Sequence, residues 1–356
     1  MDTTETLLSL DDDALVERVV ALGGKRFHAK VARDAVLRAG VLDYGAMTSL
    51  PAAVREGLAA SLPILGSRLE TTSVARDGTT KLLLALPRGA ARDGADGTEL
   101  TVETVHIPPH RPLDEDGNVR GATLCVSSQA GCPVGCPFCA SGLLGLARNL
   151  EAHEIVEQFV RGRAVGPLRR AVVMGIGEPL LNAKNLVAAL DVVRTSFGLG
   201  ARKITVSTVG FPDRLRRLAD DRPGFQLAVS LHTPDQDQRD ELVPAMAGVP
   251  IEDVLAAGDA WFESTGREIT YEYVLLGGTN DTDGHADRLV RRLARRRCTV
   301  NLIPYNPSPE MPYDRPAADA AQRFRDRLTE GGVVATIRWS RGLDGAAACG
   351  QLRLAR

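Results

Sequence analysis

The chain has 356 residues, 44% hydrophobic and 4% aromatic, enough for a large core and for about two domains or one α/β barrel with an appendage. Lys and Arg number 43 against 45 Asp and Glu, a net charge of −2, which excludes a protein that coats nucleic acid by bulk charge but allows a local basic face. No apolar run is long enough for a membrane span and Met1–Glu5 is polar; six cysteines without an export signal predict a reducing, cytoplasmic setting where thiols serve metals or catalysis.

A first helix is predicted after Asp11–Asp13, an N-cap pattern, with Gly23-Gly24 as its stop. A second fits Phe27–Arg38, and a third fits Pro51–Leu62 with proline in the first turn. Two strand-like runs follow, Arg68–Val74 and Lys81–Leu86, joined through the hairpin signal Asp77-Gly78. Gly89–Gly97 is a polar loop expected to be mobile, and Glu99–Ile107 returns to strand character. Residues 1–95 are therefore expected to form a small N-terminal helical and β accessory domain.

Beyond residue 120, short apolar runs alternate with helical stretches: Ala122–Ser127, Ala171–Met174, Lys203–Ser207, Gln226–Leu231, Ile269–Leu275 and Thr299–Ile303. Six such units predict an α/β fold with a parallel sheet and right-handed crossovers, an open partial (β/α)6 barrel over residues 96–345. In that architecture the chemistry sits at the C-terminal ends of the strands. Residues 346–356 remain as a tail. The arginine-rich stretches at 161–163, 169–170, 214–217 and 291–297 read as solvated helix faces.

Just after the first of these strands come Cys132, Cys136 and Cys139, in the order Cys-x-x-x-Cys-x-x-Cys. Three thiolates at this spacing can hold three irons of a 4Fe-4S cluster and leave the fourth open for the amino and carboxylate groups of S-adenosylmethionine. A structural zinc site is the competing reading, with Cys125 as fourth ligand. After the second strand, Gly175-Ile176-Gly177-Glu178-Pro179-Leu180 is not a dinucleotide fingerprint, because Leu180 stands where the third glycine would fall. Gly177 can bring backbone close to a ligand, and Glu178 can accept hydrogen bonds from a cationic amine. Ser207, then Ser230, Leu231 and His232, then Asn306 follow later strands, so polar groups converge on one mouth. Cys298 reads as core.

On these motifs the chain resembles the RlmN/Cfr family of radical S-adenosylmethionine RNA methyltransferases. The resemblance is carried by Val102–Val105, Ala122–Gln129, Gly175–Asn182, Ser230–His232 and Ala347–Leu352, and runs over nearly the whole chain. It implies one 4Fe-4S cluster on Cys132, Cys136 and Cys139, with S-adenosylmethionine bound by the strand-end residues. It also implies a relay. One S-adenosylmethionine methylates Cys349, and a second, cleaved reductively, yields a radical that takes hydrogen from that methyl group. The carbon radical adds to adenine, and Cys125 releases the adduct as a disulfide with Cys349 forms. Glu103 matches a position that contacts the adenine edge or handles a proton.

The implied reaction is methylation of adenine carbon 2 in 23S rRNA, with tRNA as a further substrate and an electron donor such as flavodoxin or ferredoxin. Gly-Glu-Pro-Leu in place of Gly-Glu-Ala favours carbon 2 over carbon 8. Carbon-8 methylation, a non-RNA substrate and a zinc-stabilised RNA-binding protein stand as alternatives. Helix Phe27–Arg38, the approach Ser340–Gly345 and Tyr305 depart from the usual pattern, so an altered RNA-docking surface is expected.

Overall fold

The computed structural model describes residues 5–87, 99–111, 113, 115, 117, 119–308 and 310–353. Helices α1 (Asp12–Ala21), α2 (Arg26–Leu37) and α3 (Ala52–Ser61) come first. Asp11 caps α1, its carboxylate accepting from the Ala14 N–H at 2.8 Å, as the acidic run predicts. Leu15, Val19, Ala32, Val36, Val54 and Leu58 are buried, so each helix turns one apolar stripe inward.

Strands β1 (Arg68–Val74) and β2 (Thr80–Ala85) form the expected hairpin, and β3 (Thr101–Ile107) pairs antiparallel with β2 and with β4 (Ala122–Val126). A small two-stranded ribbon, β5 (Gln129–Gly131) with β6 (Leu146–Asn149), brackets the three-cysteine loop. The alternating series then runs α4 (Ala152–Val165), β7 (Leu168–Val173), α5 (Ala183–Ser196), β8 (Ile204–Thr208), α6 (Pro212–Asp220) and β9 (Gln226–Ser230). It continues with α7 (Gln236–Leu242), α8 (Ile251–Thr265), β10 (Ile269–Leu275), α9 (Asp283–Leu293), β11 (Cys298–Pro304), α10 (Ala318–Glu330) and β12 (Ala335–Ile337).

All six expected strands of the parallel series are present, in the spatial order β4-β7-β8-β9-β10-β11, each parallel to its neighbour. Two features differ from expectation. A seventh parallel strand, β12, pairs with β11; three residues are too few for any periodicity to show in the sequence. The hairpin is also continuous with the barrel sheet, since Leu83 of β2 lies opposite Glu103 of β3. One ten-stranded sheet therefore runs from β1 to β12 across the boundary expected at residue 95. The Gly89–Gly97 loop lies outside the described residues. Among the described residues no helix is long and apolar enough to cross a membrane.

The two-residue period of the strands separates core from site. On β10, Tyr271, Tyr273 and Leu275 enter the hydrophobic core, while Glu272 and Val274 line the cavity on the other face. On β4, Leu124 and Val126 pack inward to the core, and Thr123 and Cys125 face a cavity. The core itself is filled by residues such as Phe159 of α4, Trp261 of α8 and Phe324 of α10, all essentially solvent-free. Phe159→Ala is expected to cost about 3–5 kcal/mol, read as a lower urea midpoint at unchanged slope; a loss below about 1 kcal/mol would place Phe159 outside the cooperative core.

Candidate active site

The three-cysteine loop is held from both sides. Gly131 has φ +81°, and a Cβ there would lie 2.0 Å from the Gly145 carbonyl oxygen, so only glycine lets β5 and β6 close around the loop. The Cys132 N–H donates to that same carbonyl at 3.0 Å. Cys132, Cys136 and Cys139 all line one cavity of about 170 Å³. Burial pushes the Cys132 thiol up to about 12 and shifts Cys136 and Cys139 in the same direction, so nearby positive charge is needed to keep them as thiolates. Donors are already aimed at two of the sulfurs: the Val134 and Gly177 N–H groups at Cys132, and the Ser141 N–H at Cys139.

These residues fit a cluster better than a single ion. Among the described residues, no three His, Cys, Asp or Glu side chains converge on one metal-ion site. Cys125, the fourth ligand of the zinc reading, lies in a different cavity. Three thiols spread around one cavity suit several irons, and the zinc reading loses its tetrahedron.

Gly177, Glu178, Ser207, Ser230, His232 and Asn306 line the same cavity as the thiols. Gly177 has φ +111°, and a Cβ there would meet Gln129 backbone nitrogen at 2.8 Å; this close approach seats the 175–180 turn on β5. Glu178 is buried, and its carboxylate accepts from the Leu180 N–H at 2.9 Å, the Val209 N–H at 2.9 Å and the Thr208 hydroxyl at 2.5 Å. A carboxylate offers about four acceptor positions, so one remains for a cationic amine. Ser207 and Ser230 hydroxyls stand 3.4 Å apart. His232 adopts φ +64° and accepts from the Val274 N–H through Nδ1 at 3.2 Å. Burial and then Arg239 lower its pKa to about 3, so it is neutral. Leu231 differs from expectation: its side chain is wholly buried in the core, because strand alternation turns it away from the cavity that Ser230 faces.

Asn306 ties this cavity to the C-terminal tail. Its amide Nδ2 donates to Ser340 Oγ at 2.8 Å and to the Cys349 carbonyl at 3.1 Å, while its buried Oδ1 has no partner. An orphaned acceptor, one open position on Glu178, and apolar walls from Val134, Val173, Val209, Val274 and Ile303 match the polar and apolar halves of S-adenosylmethionine.

A second cavity, of about 250 Å³, adjoins the first. Cys125 and Cys349 both line it, and Cys349 and Met174 line both cavities. Both thiols are free. Burial, then the neighbouring Cys349, pushes the Cys125 thiol up to about 12. The tail is pinned across the mouth: the Ala140 N–H donates to the Gly350 carbonyl at 2.9 Å, and Ser141 Oγ to the Leu352 carbonyl at 2.7 Å. Glu103 is reached by the same tail, accepting from the Arg353 N–H at 2.9 Å, and is paired with Lys81 at 2.7 Å. Its carboxylate is thus engaged by protein groups here rather than open to a ligand.

Sequence reasoning missed two ionisable residues at this junction, the buried Glu272 and the half-buried Arg338. Glu272 accepts from Asn301 Nδ2 at 2.7 Å, and burial raises its pKa to about 7. An acidic residue on the inward face of Ile269–Leu275 was the available signal. Arg338 follows β12, lines the two-thiol cavity, and donates to Met174 Sδ at 3.5 Å. Cys349, Glu272 and Cys125 all act on its guanidinium, raising its pKa. Nothing in the sequence marked it, because β12 itself was not legible.

A partial barrel with a three-thiol loop after its first parallel strand, and acceptors at the following strand ends, defines a radical S-adenosylmethionine enzyme. The Radical SAM superfamily model matches residues 126–290. A crystal structure of a radical SAM methyltransferase from Sphaerobacter thermophilus superposes with a TM-score of 0.86 at 39% identity, covering 98% of this chain and 99% of that one. The chain is 41% identical to a probable dual-specificity RNA methyltransferase RlmN of Synechocystis, over 98% of this chain and 95% of that protein. Its identity to the like-named protein of Gloeobacter violaceus is 42%, over 98% and 95%. The chain belongs to the RlmN family of radical S-adenosylmethionine methyltransferases.

Glu178→Gln is expected to weaken S-adenosylmethionine binding by about tenfold or more, measured by calorimetry on cluster-loaded protein with unchanged iron content. Unchanged affinity would place the amine elsewhere.

Proposed function

We propose that this protein methylates carbon 2 of an adenine in 23S rRNA, and in tRNA, through a methyl-carrying Cys349. The observation that carries the reading is the position of Cys349 on the wall shared by two cavities, one lined by the three-thiol loop and the other by Cys125. The relatives' names, dual-specificity RNA methyltransferase RlmN, support RNA as the substrate class.

When bound, the cluster and S-adenosylmethionine supply an electron, a methyl group and the means to abstract a hydrogen atom. The residues of the chain then divide the remaining work. Glu178 and Asn306 orient S-adenosylmethionine, and Asn306 also holds the Cys349 backbone beside it. Cys349 accepts the methyl group on its sulfur and presents it to the base. Cys125, fixed on β4, has its thiol in the same cavity as Cys349. Once the adduct has lost a proton, the Cys125 thiolate attacks the Cys349 sulfur, and the sulfur–carbon bond to the base breaks as the disulfide forms. An external dithiol reduces that disulfide before the next turnover. Glu103 meets the base edge or takes a proton once the Arg353 N–H has withdrawn with the tail. The target adenine must leave its stack to reach Cys349, so a loop or an unfolded rRNA segment is the substrate form. Contacts from local Lys and Arg to phosphate hold it, and binding weakens with salt. The cytoplasm, with a flavodoxin or ferredoxin as electron donor, is the setting this chemistry requires.

Expression in cells lacking their own enzyme, followed by nucleoside mass spectrometry, is expected to show 2-methyladenine in rRNA and tRNA. Its absence from both, or 8-methyladenine in its place, rejects the assignment. Cys349→Ala is expected to abolish methylation while leaving iron content intact. Cys125→Ala is expected to accumulate protein covalently joined to RNA on denaturing gels; free turnover by that variant would break the relay.

A further inference from the structure

The chain has two tryptophans. Trp261 is wholly buried and stacks on Phe225, with ring centroids 6.0 Å apart. Trp339 is its opposite: 48% exposed, on the lining of the cavity that holds Cys125 and Cys349. A large indole left half in water gives up burial that the core could have used, and on a cavity lining it offers a flat apolar face to a ligand.

The surroundings of Trp339 suit a nucleotide. Pro108, Pro109 and His110 line the same cavity and give it flat, weakly polar walls. The Arg315 guanidinium lies 5.7 Å from the indole centroid. Arg341, also on the cavity lining, is anchored through Nε to Asp77 at 3.0 Å, which fixes the rim on which Trp339 sits. Indole, cation and two-thiol cavity thus share one opening. A base drawn out of a helix loses its stacking partners, and an aromatic side chain at the opening replaces them for any base, because every base has a π face. With aromatics at 4% of the chain, such platforms are scarce, and this one adjoins the methyl-carrying thiol.

We infer that Trp339 is a stacking platform for an unstacked base of the RNA substrate at the mouth of the cavity shared by Cys125 and Cys349. This rests on the RNA reading given above. It adds a substrate contact that holds the strand next to the reacting base, with Arg315 beside it to meet phosphate.

The two tryptophans make the test direct, because Trp261 is shielded and only Trp339 can meet a ligand. Holoenzyme is titrated with bulk tRNA and with protein-free 23S rRNA. Binding is followed by filter retention and by tryptophan emission, with Trp339→Ala as the emission baseline. RNA is expected to quench the Trp339 contribution. Trp339→Ala is expected to raise Kd by about tenfold, and Trp339→Phe to stay within about threefold of wild type. RNA retained with unchanged emission and unchanged Kd in Trp339→Ala overturns the platform and leaves the RNA reading standing. Failure of wild-type holoenzyme to retain either RNA at low salt overturns the RNA reading and the platform with it.

Discussion

The hydrogen bonds that pin residues 349–353 across the barrel mouth are the constraint on which the site depends. Asn306 holds the Cys349 carbonyl, Ala140 and Ser141 hold Gly350 and Leu352, and Glu103 holds the Arg353 N–H. Without them Cys349 would have no fixed relation to the three-thiol loop or to Cys125. Each such bond contributes about 1 kcal/mol net. A few of them suffice to bias the tail toward one position, yet are weak enough to break one at a time. That balance suits the role proposed for Cys349, which borders both cavities and would receive a methyl group at one and deliver it at the other. Gly342, before the tail, and Gly350, within it, both in the left-handed region, supply bends on either side of Cys349.

The architecture explains how one thiol comes to border two cavities. The parallel series ends at the short strand β12 on one side and continues into three antiparallel strands on the other. Among the described residues the sheet has two ends, β1 and β12, and the tail bonds to Glu103 of β3 and to Asn306 just beyond β11. Lys81 from β2 and Glu103 from β3 enter the site because the hairpin belongs to the same sheet. Lys81 also donates to the Ala346 carbonyl at 3.0 Å, so the antiparallel extension is part of what positions the tail.

Electrostatics divides the thiols into two settings. Cys132, Cys136 and Cys139 are all desolvated, and backbone N–H groups face Cys132 and Cys139, a setting that favours thiolates bound to metal. Cys125 is desolvated with Arg338 as a neighbouring positive charge, and Arg338 answers to Cys349 and Glu272 as well. One guanidinium therefore shares a cavity with both Cys125 and Cys349, while Glu272 balances it from the barrel wall.

Local sequence determined the alternation of strands and helices, the loop of Cys132, Cys136 and Cys139, and the strand-end residues Gly177, Glu178, Ser207, Ser230, His232 and Asn306, because strand period and turn chemistry are written in neighbouring residues. Other features were settled only by tertiary structure. Leu231 turns into the core while its neighbours face the cavity. Arg338 and Trp339, just after a strand three residues long, line the cavity of Cys125 and Cys349. Glu103 meets a backbone N–H 250 positions away. Long-range pairing sets these contacts, and no local periodicity records which distant segment will close over a given face.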